Sequence, residues 1–270
     1  MVFSSNTLSV EVHDHVATLW LDRAEKLNAV SMDMWQDFPR AMAAIAEDET
    51  VRAVVIKGRG KSFCVGIDLS SFAEKPDLST AIGAQQQIKI TRTCQQAITA
   101  VAECAVPVIA AIHSHCLGAA VDLITACDIR LASNDATFGV RETKIGIVAD
   151  VGTLQRLPAI VGAGHVAELA YTGKDIDATR AEKIGLVNDV YDSAEAVSDA
   201  AMEMAKEIAA NAPLAVRGTK YILQQGEDLT TEQSLTLNGL WTMVTTLNSD
   251  DLSEAMRAFM EKRPSQFRGR

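Results

Sequence analysis

Three carboxylates, Asp122, Glu142 and Asp150, fall within about thirty residues of one another, each among apolar neighbours: Val121-Asp122-Leu123, Val140-Arg141-Glu142 and Val148-Ala149-Asp150-Val151. A buried carboxylate is costly unless it is paired, hydrogen-bonded or protonated. Carboxylates that share an apolar cleft push each other's pKa values apart, so that one serves as base while another serves as acid. Each residue alone also has a plainer reading. Asp122 stands in the first turn of a predicted helix, where an acidic side chain complements the helix dipole. Glu142 has Arg141 and Lys144 within reach for an ion pair, and Asp150 stands just before a predicted helix, as an N-cap does.

Two small-residue turns accompany the carboxylates. Val65-Gly66-Ile67 follows a predicted strand, and Gly118-Ala119-Ala120 follows another and opens a helix. Such turns leave backbone N–H groups unpaired, and two of them converging on one point form an oxyanion hole. The plainer alternative is a tight turn that lets a helix pack closely. Other chemistries find less support. There is no phosphate-binding G-x-x-x-x-G-K-[ST], no H-x-x-x-H pair, no calcium-loop spacing and no G-x-S-x-G nucleophile turn, although His113, Ser114 and His115 adjoin.

The elements that must position these residues alternate in type. Leu8–Val12 and Val16–Leu21 read as a hairpin around His13-Asp14-His15, and Ser31 caps a helical pattern carrying Trp35, Phe38, Met42 and Ile45, with Pro39 expected to kink it. Val51–Lys57 is β-rich, 70–80 reads as a loop, and Ala81–Ala105 reads as a long helix with Ile88, Thr91, Cys94, Ile98 and Val101 on one face. A strand at 107–112, a helix at 119–127 and strands at 128–132 and 137–140 lead to helices at 152–161 and 165–171. A short strand and helix over 174–184 and a strand at 186–190 follow. From Ser193 on, the pattern is helical over 193–211, 213–225, 230–247 and 250–262. This alternation predicts an α/β core over residues 1–195 and a helical region over 196–270.

A net charge of −10 argues against nucleic acid as a partner, and 48% hydrophobic residues suffice for a substantial core. The five cysteines are odd in number and lack a C-x-x-C pair, which points to small core residues in a reducing compartment. No apolar run of membrane-spanning length, no signal peptide pattern and no peroxisomal address at Arg268-Gly269-Arg270 is evident. A cytoplasmic protein, free of the membrane, is expected.

The segments Leu21-Asp22-Arg23-Ala24-Glu25-Lys26-Leu27-Asn28-Ala29, Ser62–Leu69, 117–122 and Ala258–Arg263 together resemble the crotonase superfamily, the enoyl-CoA hydratase/isomerase family. The resemblance covers nearly the whole chain. It implies an α/β fold of the ClpP/crotonase type, a spiral of repeated ββα units with a C-terminal helical trimerisation region, assembled as a trimer or as a hexamer of two stacked trimers. Hydratases of the family carry glutamate at the positions of Asp122 and Glu142 and usually a small residue at Asp150. The pattern here is most similar to the dienoyl-CoA isomerase branch. The second oxyanion loop, often three glycines, is Gly118-Ala119-Ala120 here, and alanine keeps its N–H.

What the resemblance implies is an acyl-CoA thioester as substrate, with coenzyme A part of the substrate, no further cofactor and no metal. Isomerisation of 3,5-dienoyl-CoA to 2,4-dienoyl-CoA in fatty-acid β-oxidation is the expected reaction; hydration of a 2-enoyl-CoA, another acyl-CoA reaction of the family, or acyl-CoA binding without catalysis are the alternatives. The thioester oxygen would sit between the N–H groups of Ile67 and Ala119, with Glu142 acting at C2, Asp150 at C6 and Asp122 tuning the pair. CoA would lie along Lys26, Leu27, Val65, Ile67, Asp68 and Leu69. Phe259 and Lys262 would reach the CoA pocket of a neighbouring subunit.

Overall fold

The computed structural model describes residues 2–72 and 76–270. Strands β1 (Phe3–Ser4), β2 (Leu8–His13) and β3 (Val16–Leu21) open it. The predicted hairpin is β2–β3, closed by Asp14 and His15 at φ 48° and 66°, the pair of left-handed residues that a two-residue turn needs. Helix α1 (Met32–Glu47) starts where predicted, with the Ser31 hydroxyl accepting the Met34 N–H, and runs on through Pro39. Strand β4 (Ala53–Gly58) and helix α2 (Ala81–Ala102) follow. The loop expected over 70–80 falls partly on 73–75, outside the described residues, and Leu69–Phe72 forms a 3₁₀ turn.

The middle of the chain supplies β5 (Val108–Ile112), β6 (His115–Leu117), α3 (Ala119–Thr125), β7 (Ile129–Ser133), β8 (Thr137–Gly139), α4 (Thr153–Val161) and α5 (Ala163–Thr172). Then come β9 (Asp175–Asp177), α6 (Ala178–Lys183) and β10 (Asp189–Tyr191). Among the described residues the strands form a seven-stranded sheet, β1-β2-β3-β4-β5-β7-β10, and a three-stranded sheet, β6-β8-β9. From β3 to β10 the large sheet is parallel. The β10 pairing begins three residues later than the apolar run at 186–190 suggests. Leu186 and Val187 are buried in the core, but the ladder with β7 starts at Asp189.

The architecture is a repeat without a fixed sequence period. One strand of each unit enters the large sheet (β4, β5, β7), the next segment joins the small sheet, and a helix follows (α2, α3, α4). In the first unit the second strand shrinks to a single bridge, Cys64 to Cys116; in the others it is β6 and β8, paired through Cys116–Phe138 and Leu117–Gly139. These three segments therefore run side by side and end side by side.

Strands buried on both faces read as apolar runs, and β4 and β5 are buried along their whole length. Alternate residues go to opposite faces. Val54 and Ile56 join the main core with α1 and α2, whereas Ala53 and Val55 meet Val197, Ala201, Ala205 and Ala209 of α7 (Ala194–Ala209). Helix α7 is thereby a layer on the sheet. Helices α8 (Pro213–Gly226), α9 (Thr231–Trp241), a π turn at Thr242–Thr246 and α10 (Asp250–Glu261) complete the chain. They leave Leu223, Leu235, Leu240, Met243, Val244, Phe259 and Met260 exposed. Among the described residues no helix is long and apolar enough to cross a membrane.

Candidate active site

The three side-by-side segments end at Cys64, Leu117 and Gly139, and the residues that follow each end face one cleft. That cleft, of about 210 Å³, is lined by Val65, Gly66, Ile67 and Leu69 from the first unit, Leu117, Gly118, Ala119 and Asp122 from the second, and Arg141, Glu142 and Asp150 from the third. Trp35 of α1 and Ile145, Ile147 and Val151 complete its wall.

Backbone geometry brings the two small-residue turns together. Gly66 has φ 95°, and a Cβ placed on it would lie 2.7 Å from the Leu117 carbonyl oxygen and 3.6 Å from the Ala119 nitrogen. Gly118, at φ 53°, stands between Gly66 and Glu142: a Cβ there would be 3.4 Å from Glu142 Oε1 and 3.9 Å from the Gly66 Cα. Val30 takes the neighbouring groups of the first turn, its N–H donating to the Gly66 carbonyl at 2.8 Å and its carbonyl accepting the Asp68 N–H at 2.9 Å. Between those two bonds the Ile67 N–H has no acceptor among the described residues. The Ala119 N–H, at the first position of α3, has none either.

The carboxylates differ in environment. Asp122 lies one turn along α3 from Ala119 and is only 2% exposed; its Oδ1 accepts the Thr153 N–H at 2.6 Å. Burial is the main cause that pushes its pKa up to about 7, with Glu142 and Asp150 adding to it and the Thr153 bond opposing it. Glu142 opens the 3₁₀ turn Glu142–Ile145 and is 8% exposed. Its Oε2 is buried without a partner among the described residues, and burial, reinforced by Asp150, raises its pKa. Asp150 is exposed at the cleft and carries no side-chain hydrogen bond among the described residues.

The plainer readings of the carboxylates are thereby rearranged. The start of α4 is capped by Gly152, without a side-chain bond, and Asp122, from another helix, accepts the N–H of Thr153 at the first position of α4. Glu142 is not paired with Arg141, because the Arg141 guanidinium forms a two-point ion pair with Asp175 of β9, with Nε donating at 2.8 Å. Among the described residues no group of three His, Cys, Asp or Glu side chains could hold a metal ion.

The residues expected along CoA divide. Val65, Ile67 and Leu69 line the cleft, and Leu69 is 60% exposed. Asp68 ties the first small-residue turn to the loop before α1: it pairs with Arg23 at 3.1 Å and accepts the Ser70 hydroxyl and N–H, which hold its carboxyl below the usual range. Lys26 closes the 3₁₀ turn Ala24–Lys26, and Leu27 follows in the left-handed region at φ 51°; both are exposed and neither lines the cleft. Phe259, 85% exposed, and Lys262, the left-handed C-cap of α10, are likewise not brought to the cleft of their own chain. Trp35, Arg23 and Thr153 escaped the sequence reading as site residues. Trp35 looked like core because it shares the apolar stripe of α1, and the other two act through contacts between distant segments.

Comparison with known proteins adds independent findings. The model of the enoyl-CoA hydratase/isomerase family matches residues 11–270. The peroxisomal Δ3,5-Δ2,4-dienoyl-CoA isomerase of Arabidopsis thaliana is 41% identical over 92% of this chain and 91% of its own length. The mitochondrial Δ3,5-Δ2,4-dienoyl-CoA isomerase of Dictyostelium discoideum is 40% identical over 94% and 87%. Among solved structures, an enoyl-CoA hydratase from Bacillus anthracis superposes with a TM-score of 0.91 at 30% identity, covering 98% of this chain and all of that one.

Proposed function

This chain belongs to the enoyl-CoA hydratase/isomerase family, and from that premise we propose that it isomerises 3,5-dienoyl-CoA to 2,4-dienoyl-CoA by proton transfer from C2 to C6. The observation that carries the proposal is one cleft lined by Ile67, Ala119 and three carboxylates, the N–H groups of those two residues having no acceptor among the described residues. Likeness to two dienoyl-CoA isomerases supports the choice of reaction.

In this mechanism the thioester oxygen accepts the N–H groups of Ile67 and Ala119, which acidifies the C2 proton. Glu142, lifted by burial into a more basic range, removes that proton. The electron pair spreads over an extended dienolate as the double bonds move from C3 and C5 to C2 and C4. Asp150 delivers a proton at C6. Asp122, held by Thr153, adds the charge or proton that separates the roles of the other two. No redox cofactor or metal enters the balance. Lys26, Leu27 and Asp68 flank the proposed CoA path. Self-association as a trimer or stacked trimers is part of the same reading, supported by the exposed apolar residues of α8–α10, and would carry Phe259 and Lys262 to a neighbour's CoA.

Absorbance tests it. The conjugated product absorbs at longer wavelength than the substrate, so 3,5-dienoyl-CoA should give a rising signal. Asp150→Asn should lower that rate by about 10²–10⁴, the scale of a lost general acid. Retention within about tenfold of wild type would remove Asp150 from the reaction. Hydration of a 2-enoyl-CoA is the second reading, favoured by the likeness to the Bacillus anthracis hydratase, and would bleach the enoyl chromophore instead. No change with either substrate would favour acyl-CoA binding without catalysis.

A further inference from the structure

The segment that carries Asp150 is sparsely held. It runs from Gly146 to Gly152, both in the left-handed half of φ at 77° and 136°. Residues 147–150 belong to no helix or strand. At one end the Ile147 N–H donates to the Glu142 carbonyl at 3.1 Å, and at the other the Thr153 N–H reaches Asp122. Ala149 is buried and Val151 packs against the core, so two small apolar anchors fix where the strand of chain passes. Val148 and Asp150, between and beside them, face outward.

Small apolar anchors fix position better than they fix the rotation of a peptide plane. Among the described residues one hydrogen bond does the latter between Val148 and Val151: Gln95 Nε2, from α2, donates to the Asp150 carbonyl at 2.8 Å. That bond sets the plane following Asp150, hence its ψ and the direction in which its carboxylate leaves the chain. Gln95 does not line the cleft, so it does not touch a substrate there. Asp150 lies close enough to α2 to add to the burial that pushes the neighbouring Cys94 thiol up to about 11.

We propose that Gln95 is a positioning residue for Asp150, and that its hydrogen bond governs how the dienolate divides between proton return at C2 and proton delivery at C6. The proposal rests on the isomerase reading and extends it. A misaimed Asp150 leaves the C2 step, which belongs to Glu142 and the two N–H groups, untouched. The intermediate then more often takes a solvent-derived proton back at C2.

The test uses 3,5-dienoyl-CoA deuterated at C2 and follows two quantities by mass spectrometry: deuterium lost from unreacted substrate, and 2,4-dienoyl product formed. Gln95→Met keeps length and removes the donor; Gln95→Ala is the second variant. In both, the ratio of exchange to isomerisation should rise about three- to tenfold, the scale of one net hydrogen bond. A loss of folded enzyme lowers exchange and isomerisation together and leaves their ratio unchanged, so the ratio reads only the active fraction. An unchanged ratio in both variants overturns the proposal. Asp150→Asn in the same assay separates the two readings. If it raises the ratio a hundredfold while the Gln95 variants do nothing, positioning by Gln95 fails alone; if it too leaves the ratio unchanged, the role of Asp150 itself fails.

Discussion

Replacing Asp122 by asparagine should make the protein more stable at pH 8 than at pH 5, relative to wild type. Asp122 is 2% exposed, and its carboxyl is raised from 3.8 to about 7, chiefly by burial. A carboxyl raised on folding favours the protonated form in the folded state. Its contribution is fully present below the unfolded value of 3.8 and is lost as pH rises through about 7. The difference of about three pKa units corresponds to roughly 4 kcal/mol. Asparagine keeps a carbonyl oxygen for the Thr153 N–H and does not titrate over this range. The contribution of Glu142 is common to both proteins and largely cancels in their difference. Urea unfolding of wild type and Asp122→Asn at pH 5, 6, 7 and 8 should therefore give a stability difference that grows in favour of the variant by about 2–3 kcal/mol across the series, and levels off above pH 8. Parallel profiles across that range would show that Asp122 is not the buried titrating carboxyl of the cleft, and the division of acid and base roles argued from its burial would fall with it.

Two further substitutions probe the frame around the site. Gly66→Ala places a methyl 2.7 Å from the Leu117 carbonyl at a φ of 95°, so it should separate the two small-residue turns. A displacement near 1 Å there costs about a hundredfold in kcat, with the unfolding midpoint shifted by the few kcal/mol of local strain; isomerisation within a factor of about three of wild type would contradict the placement. Lys220→Met removes the buried ammonium that α8 inserts against Asp128 at 2.7 Å and the Val106 carbonyl at 3.0 Å. Urea unfolding should show a loss of about 1–2 kcal/mol, because the change leaves the Val106 carbonyl without its donor, while Asp128 is exposed and keeps the Val108 N–H at 2.7 Å.

Periodicity located most helices and strands because their apolar residues repeat at 3.6 or 2.0 positions along the chain. What it could not locate were elements defined by a partner rather than by composition. Strand β6 is three residues long, His115-Cys116-Leu117, and exists because Cys116 and Leu117 find Phe138 and Gly139 beside them. No alternation announces it, and it falls between the strand expected at 107–112 and the turn at 118–120. The N-terminal half of α2 shows the complementary limit. Ile88 shares the predicted face with Cys94, Ile98 and Val101, yet it is 53% exposed, because the core ends before that turn of the helix.

The carboxylates show the same division between local and tertiary causes. Asp150 before a helix and Asp122 inside one are, by local rules, an N-cap and a dipole complement. The fold gives both other surroundings. Asp122 reaches across to the Thr153 N–H of α4, which is what allows a buried carboxyl to keep one oxygen satisfied; Asp150 lies exposed at the cleft with no side-chain hydrogen bond among the described residues. A helix start can be capped from its own preceding residue or from another helix, and sequence spacing specifies only the first possibility. The bond that Asp122 makes joins residues 31 positions apart, so no local spacing announces it. Removing the Thr153 acceptor altogether, with Asp122→Ala, should lower stability at pH 5 by about 1–3 kcal/mol in urea unfolding, the cost of a buried N–H left without its partner.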